Sequence, residues 1–210
     1  VGCVWKLEKL CRNKALKAAV EKPENVKLFL NVDGNIIQDK AFIQGFTNRR
    51  AMKAGVPASD IVFEITERSD IENYQILQQI MKHYADQGYE IALDDVGAGH
   101  LGLNRVVNTT PDYLKADIEL VRDIHKYKKK EIMMKLLLDY CNATGAILIA
   151  EGIETVQELE CLHSLGVHYG QGFFLGKPER AFGNISAESE EILERLNGRK
   201  NILFLDISGK

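Results

Sequence analysis

The chain has 210 residues, 45% of them hydrophobic and 27% charged, with a net charge of −3. That is enough for one domain with a full apolar core, and it argues against a disordered chain or a general nucleic-acid binder. No apolar stretch approaches the ~20 residues of a membrane helix, and nothing at the N-terminus reads as a signal peptide.

In chain order, helix-like stretches alternate with short apolar runs. Residues Trp5–Ala19 carry apolar positions at three- and four-residue intervals and read as a helix; Leu28–Asn31 reads as a strand. A helix over Asp39–Ala54 and a strand over Ile61–Ile65 follow, then a helix over Asn73–Gln87, in which Ile76, Leu77, Ile80, Met81 and Tyr84 share one face. Gly55 and Gly88 stand where left-handed C-caps are wanted, with Pro57 just after the first. Strands over Ile91–Asp95 and Tyr113–Ala116 come next. The basic run Lys126–Lys130 reads as a solvated approach to a helix over Glu131–Asn142 rather than as a nucleic-acid patch. A strand over Ala146–Ala150, a helix over Thr155–Leu165 and a weaker strand over Tyr169–Phe173 complete the alternation. Beyond Pro178, Ser186 can cap a helix over Ala187–Asn197, and Ile202–Leu205 resembles a short strand. The domain is therefore placed at 1–180, with 181–210 as an accessory or the start of a further segment.

This β-α alternation implies parallel strands joined by crossover helices. A closed (β/α)8 barrel needs eight strands in about 250 residues, whereas six are found here, so the first two strands are expected to lie outside the chain. An open doubly wound sheet is the alternative. Cys3, Cys11, Cys141 and Cys161 are far apart with no CxxC, and the histidines show no HxxxH or HxH spacing, so a reducing, cytoplasmic setting without a zinc site is expected.

Polar residues recur at or just beyond the strand ends: Asn31, Glu64, Asp94–Asp95, Lys115, Glu151 and Gln171. On a parallel barrel they converge on one rim, and gathered oxygen ligands suit hard divalent metals. Adjacent carboxylates at a buried strand end repel unless a cation sits between them. The bland reading of Asp94–Asp95 makes one a helix cap and leaves the other solvated; that of Lys115 is a salt bridge to Asp117. Gly97 and Gly99 after the Asp pair suggest a tight loop close to the site.

The ordered series Leu30-Asn31-Val32, Phe63-Glu64-Ile65-Thr66-Glu67, Asp94-Asp95-Val96-Gly97-Ala98-Gly99, Tyr113-Leu114-Lys115-Ala116-Asp117, Ala150-Glu151-Gly152-Ile153-Glu154-Thr155 and Gln171-Gly172-Phe173 resembles the EAL domain, from about Trp5 to Pro178. The resemblance implies a modified TIM barrel whose first strand runs antiparallel. It also implies cleavage of one phosphodiester bond of cyclic di-GMP to the linear dinucleotide pGpG, with two Mg²⁺ or Mn²⁺ ions. By motif, Asn31, Glu64 and Asp94 look like ligands of one ion, and Asp94, Asp95 and Glu151 of the other. Lys115 would orient or help deprotonate the attacking water, with Gln171 nearby. Glu67 would tie down the loop after the Asp pair. Asp117, Glu154, Gly97, Gly99 and Pro178 are expected to meet substrate or to back the inner residues.

The resemblance further implies a homodimer, coupling to a sensor or GGDEF-type domain, and no DNA binding. The Glu-Ala-Leu motif that names the family does not occur in the chain and is expected upstream of Val1, along with an arginine. Where the family usually has a phenylalanine, a threonine, a tyrosine and serines, the segment Val96–Gly102 reads Val-Gly-Ala-Gly-His-Leu-Gly. This motivates the alternative of a catalytically weak or inactive cyclic-di-GMP receptor.

Overall fold

The computed structural model describes residues 4–34, 36, 39–66, 74–97, 106–179 and 182–197. The elements are α1 (Val4–Ala18), β1 (Leu28–Val32), α2 (Phe46–Ala54), β2 (Ile61–Thr66), α3 (Tyr74–Ala85), β3 (Glu90–Val96) and β4 (Tyr113–Ala116). There follow a single turn α4 (Ile118–Val121), then α5 (Lys128–Thr144), β5 (Ile147–Ala150), α6 (Val156–Leu165), β6 (Tyr169–Gly170) and α7 (Ala187–Asn197).

All five strand pairings are parallel, and the spatial order is the chain order, β1 through β6. A doubly wound sheet reverses its order at a switch point; this one does not. Uniform crossovers in one direction put every helix on the same face. The packing agrees. Leu30, Phe63, Ile65, Ile91, Leu93, Leu114 and Leu148 point to the helix side, where they join Trp5, Leu16, Leu77, Ile80, Met134 and Leu159 in the main core. Phe29, Val62, Ala92, Tyr113 and Ile149 point the other way and pack on one another. This is the two-sided layering of a TIM-type barrel, drawn as an arc; among the described residues β1 and β6 do not pair with each other.

Buried charge ties the arc's first helices to the end of β1. The Arg12 guanidinium, 2% exposed, donates to Thr47 Oγ1 at 3.1 Å and Tyr84 Oη at 3.1 Å, and it pairs with Glu8. Glu8 in turn accepts the Asp33 N–H at 2.6 Å, just past β1. A buried guanidinium is tolerated only when paired and hydrogen-bonded in this way.

Three elements depart from the sequence reading by three residues or more at one end. The helix expected from Asp39 begins at Phe46, because Gly45 is left-handed (φ 69°) and residues 39–45 form turns. Strand β6 stops at Gly170, because residues 171–175 turn back onto the loop after β5. The helix expected over Glu131–Asn142 starts earlier, at Lys128, and runs to Thr144, where Gly145 (φ 81°) caps it. Lys128 and Lys130 thus lie within its first turn. Ser186 accepts the Ser189 N–H as anticipated, and the run Ile202–Leu205 lies outside the described residues.

Candidate metal centre at the strand ends

The inner apolar row of Phe29, Val62, Ala92, Tyr113 and Ile149 is flanked by Tyr169. Two residues further along the same strands stand Asn31, Glu64, Asp94, Lys115, Glu151 and Gln171. Side chains alternate faces with a period of two, so this polar row shares the inner face, one step nearer the C-terminal rim. Glu151 and Gln171 lie just past their strands, and the ladder extends to hold them. Glu151 N–H donates to Ala116 O at 3.0 Å, and Gln171 N–H to Ala150 O at 2.8 Å.

Strict alternation would send Asp94 and Asp95 to opposite faces. The β3–β4 register prevents this: Leu93 pairs with Leu114 and Val96 with Ala116, so both aspartates oppose the single residue Lys115. This is a β-bulge, and Asp95 carries it with a left-handed backbone (φ 57°), a conformation that Asp tolerates better than most residues. The bulge lets carboxylate oxygens of Asp94, Asp95 and Glu151 lie within 4.8 Å of one another.

Lys115 sits at the middle of the row, 3% exposed. Its Nζ lies 2.6 Å from Glu64 Oε1, 3.0 Å from Asp94 Oδ1 and 2.5 Å from Glu151 Oε1. Burial alone would lower its pKa, but Glu64, Glu151 and Asp94 outweigh that and hold the ammonium firmly charged. Glu151 behaves oppositely: burial pushes its carboxyl up to about 7, with Asp94 adding to the rise and Lys115 opposing it. A group of carboxylate oxygens in which burial drives one member toward neutrality is a donor set suited to hard divalent cations. Asp94, Asp95 and Glu151 fit such ions, with Glu64 reaching the same cluster through Lys115.

The remaining expected site residues are placed as follows. Asn31 is exposed on the polar row, in register with Glu64. Asp117 is buried, and its Oδ1 caps α4 by accepting the Glu119 N–H at 2.7 Å; Lys115 turns instead to the carboxylates on the inner face. Glu154 has an exposed side chain, and its backbone N–H donates to Glu158 Oε2. Gly97 (φ 105°) follows β3 directly, and Pro178 is exposed beyond β6. Glu67 and Gly99 lie outside the described residues.

Two glycines that sequence reasoning quoted without giving them a role shape the rim. A Cβ on Gly152 (φ 71°) would fall 2.3 Å from the Ile118 side chain, and one on Gly172 would fall 2.1 Å from Ile153 O. Their Glu-Gly and Gln-Gly spacings were the available signal. Their tight packing lets the 151–153 and 171–174 segments interleave, with Ile153 N–H donating to Gln171 O and Phe174 N–H to Ile153 O, both at 3.0 Å.

Residues 4–178 match the family model described as the EAL domain. The chain belongs to the EAL domain family. Among curated relatives, cyclic di-GMP phosphodiesterase PdeB of Shewanella oneidensis is 25% identical over 71% of this chain and 17% of its own length. The probable cyclic di-GMP phosphodiesterase PdeN of Escherichia coli is 30% identical over 77% of this chain and 31% of its own length. The chain thus spans less than a third of either relative. A standalone EAL protein from Vibrio cholerae O395, solved in its c-di-GMP-bound form, superposes with a TM-score of 0.78 at 26% identity, covering 88% of this chain and 78% of that one. Klebsiella pneumoniae BlrP1, solved as a manganese/cyclic-di-GMP complex, gives 0.76 at 28% identity, covering 82% of this chain and 44% of that one. Both similarities make the six-stranded arc an EAL-type, TIM-like fold. No helix among the described residues is long and apolar enough to cross a membrane.

Proposed function

We propose that the polar row binds cyclic di-GMP and hydrolyses one of its phosphodiester bonds to give pGpG, using Mg²⁺ or Mn²⁺. The observation that carries this reading is the convergence of Asp94, Asp95 and Glu151 beside a buried Lys115 at the strand ends. The cyclic di-GMP phosphodiesterase names of the relatives and the cyclic-di-GMP complexes of the structural neighbours supply the substrate. Asn31, Glu64, Asp94, Asp95 and Glu151 would hold the cations. Cations held by these residues would supply charge neutralisation at the attacking and leaving oxygens and a more acidic attacking water.

The chain's own residues do the rest. The ammonium of Lys115, held charged at the centre of the row, orients the attacking water. Gln171 stands at the end of the row just past β6, where it would complete the inner face toward substrate. The interleaved 151–153 and 171–174 segments keep Glu151 and Gln171 at a fixed separation. No histidine base or serine nucleophile is required. The greater length of the relatives supports operation within a larger protein; coupling to a sensor or GGDEF-type domain and pairing as a homodimer belong to the same proposal.

The test is to incubate the protein with cyclic di-GMP and Mn²⁺ and to resolve the products by chromatography. Appearance of pGpG that EDTA abolishes is expected; no product at any protein concentration overturns the reading. One sequence feature favours a second reading, a receptor without turnover: the 96–102 segment departs from the family pattern beside the Asp pair. Tight cyclic-di-GMP binding in EDTA, with no hydrolysis after Mn²⁺ is added, would identify that case.

A further inference from the structure

We propose that Lys115 is a built-in counter-cation that competes with the divalent ions for the same carboxylates, so that loading the ions drives its ammonium out of the cluster and toward the attacking water. The inference rests on the two-metal reading above and concerns what the chain does before chemistry begins.

Three observations carry it. Lys115 is almost wholly buried, and a buried ammonium is stable only among anions. Its Nζ is within 3.0 Å of oxygens from Glu64, Asp94 and Glu151 at once, so it occupies the centre of the acidic group rather than its margin. Two of those three carboxylates, Asp94 and Glu151, also converge with Asp95 to form the candidate metal set. The same acids therefore serve two cations of different kinds. An ammonium and a divalent ion sharing a carboxylate repel at short range, and in a buried site that repulsion is only weakly screened. Divalent ions offer more charge to each oxygen, so on loading it is the ammonium that gives way. Lysine is suited to yielding: its charge sits on a flexible four-carbon stem, and its three donors can be re-aimed without a fixed fork geometry.

The arrangement resolves a conflict in the fold. Glu64, Asp94 and Glu151 crowd around the Lys115 Nζ, with Asp95 beside Asp94 and Glu151, and like charges brought together in this way destabilise one another. Lys115 lets the chain fold with that cluster assembled. It also ties metal affinity to the position of the residue that handles the water, so a partly loaded site leaves Lys115 engaged with the carboxylates.

The test compares Mn²⁺ binding by isothermal titration calorimetry in the unaltered chain and in Lys115→Met. Removing the competing charge should tighten Mn²⁺ binding about tenfold or more, although the same substitution removes turnover. In EDTA the variant should melt at lower temperature than the unaltered chain, and Mn²⁺ should raise its midpoint by more. Lys115→Arg, which keeps the charge, should bind Mn²⁺ no more tightly than the unaltered chain. Equal or weaker Mn²⁺ binding by Lys115→Met overturns the inference and leaves the two-metal reading standing. Absence of Mn²⁺ uptake by the unaltered chain overturns both. A measurement without substitution covers the case in which Lys115→Met does not fold. In protein labelled with [¹⁵N]lysine, the Lys115 ammonium resonance should shift as diamagnetic Mg²⁺ is titrated and saturate with the ion; an unmoved resonance at saturation overturns the inference.

Discussion

Asp95 shows at a single residue how the site is made. Its left-handed backbone opens the bulge that turns two adjacent aspartates toward one partner, at a strain of roughly 1–3 kcal/mol. Glu151 shows the electrostatic counterpart. Its carboxyl is raised to about 7, so its ionisation works against the fold, and removing it should cost little stability. Glu151→Ala is therefore expected to lower turnover at least about a hundredfold while leaving the urea midpoint nearly unchanged; a collapsed midpoint would instead mark it as structural. Gly152→Ala should do the reverse and destabilise the fold first. A methyl group there meets Ile118 at 2.3 Å on a backbone with φ 71°, a combination expected to cost about 2–4 kcal/mol in denaturant unfolding. Asn31, Glu64, Asp94, Lys115, Glu151 and Gln171 were legible in the sequence because a two-residue strand period and recurrent strand ends leave a trace in one dimension. The roles of Gly152 and Gly172 were not, because each depends on a partner, Ile118 or Ile153, whose nearness only folding creates.

Among the elements, α6 is anchored at its start by side chains as well as backbone. Thr155 and Glu158 form a reciprocal capping box, with Thr155 Oγ1 accepting the Glu158 N–H at 3.3 Å and Glu158 Oε2 accepting the Thr155 N–H at 3.0 Å. Glu158 also accepts the Glu154 N–H at 3.0 Å and, across the fold, the Asp123 N–H at 2.7 Å. Burial pushes its carboxyl up, but the donors at Asp123, Glu154 and Thr155 outweigh it and hold the pKa below the ordinary 4.5. The sign follows from a depressed folded-state value: the contribution is complete above that ordinary value and fades as pH falls through the lower folded-state pKa. Glu158→Gln should thus cost about 1–2 kcal/mol at pH 7. The gap between variant and unaltered chain should narrow in unfolding curves taken below pH 4.5; a constant gap would mean the charge is irrelevant. Every helix but the single turn α4 was readable from apolar spacing, and the apolar face of α3 is buried as anticipated, with Leu77, Ile80 and Tyr84 almost inaccessible. The start of α2 was missed because apolar periodicity over 39–45 persists through turns that Gly45 closes, and periodicity alone does not register a left-handed residue.

At the scale of the whole molecule, alternation of strands and helices does not by itself separate a barrel from a doubly wound sheet, and it was the motif series from Asn31 to Gln171 that favoured the barrel. Strand order separates them, because an unbroken order from β1 to β6 gives one helix-covered face and one inner face. On the proposed reading, the acidic cluster on that inner face would link metal to global stability. Divalent ions held there would bind the folded chain and not the unfolded one, so Mn²⁺ at a hundred times its dissociation constant should add about 2.7 kcal/mol of stability for a single site, visible as a raised thermal midpoint that EDTA reverses. An unchanged midpoint at saturating Mn²⁺ would contradict the assignment of Asp94, Asp95 and Glu151.

Strand register carries one more consequence. The polar row sits two residues beyond the apolar row on every strand, so the chemistry and the core are written in alternating letters of the same short words. Deleting Tyr113 or Leu114 would not shift Lys115 slightly; it would turn the ammonium into the helix-side core and bring Ala116 to the site. Point substitutions can retune this site, whereas insertions and deletions inside the strands would erase it, so the loops are where changes in length are expected to be tolerated.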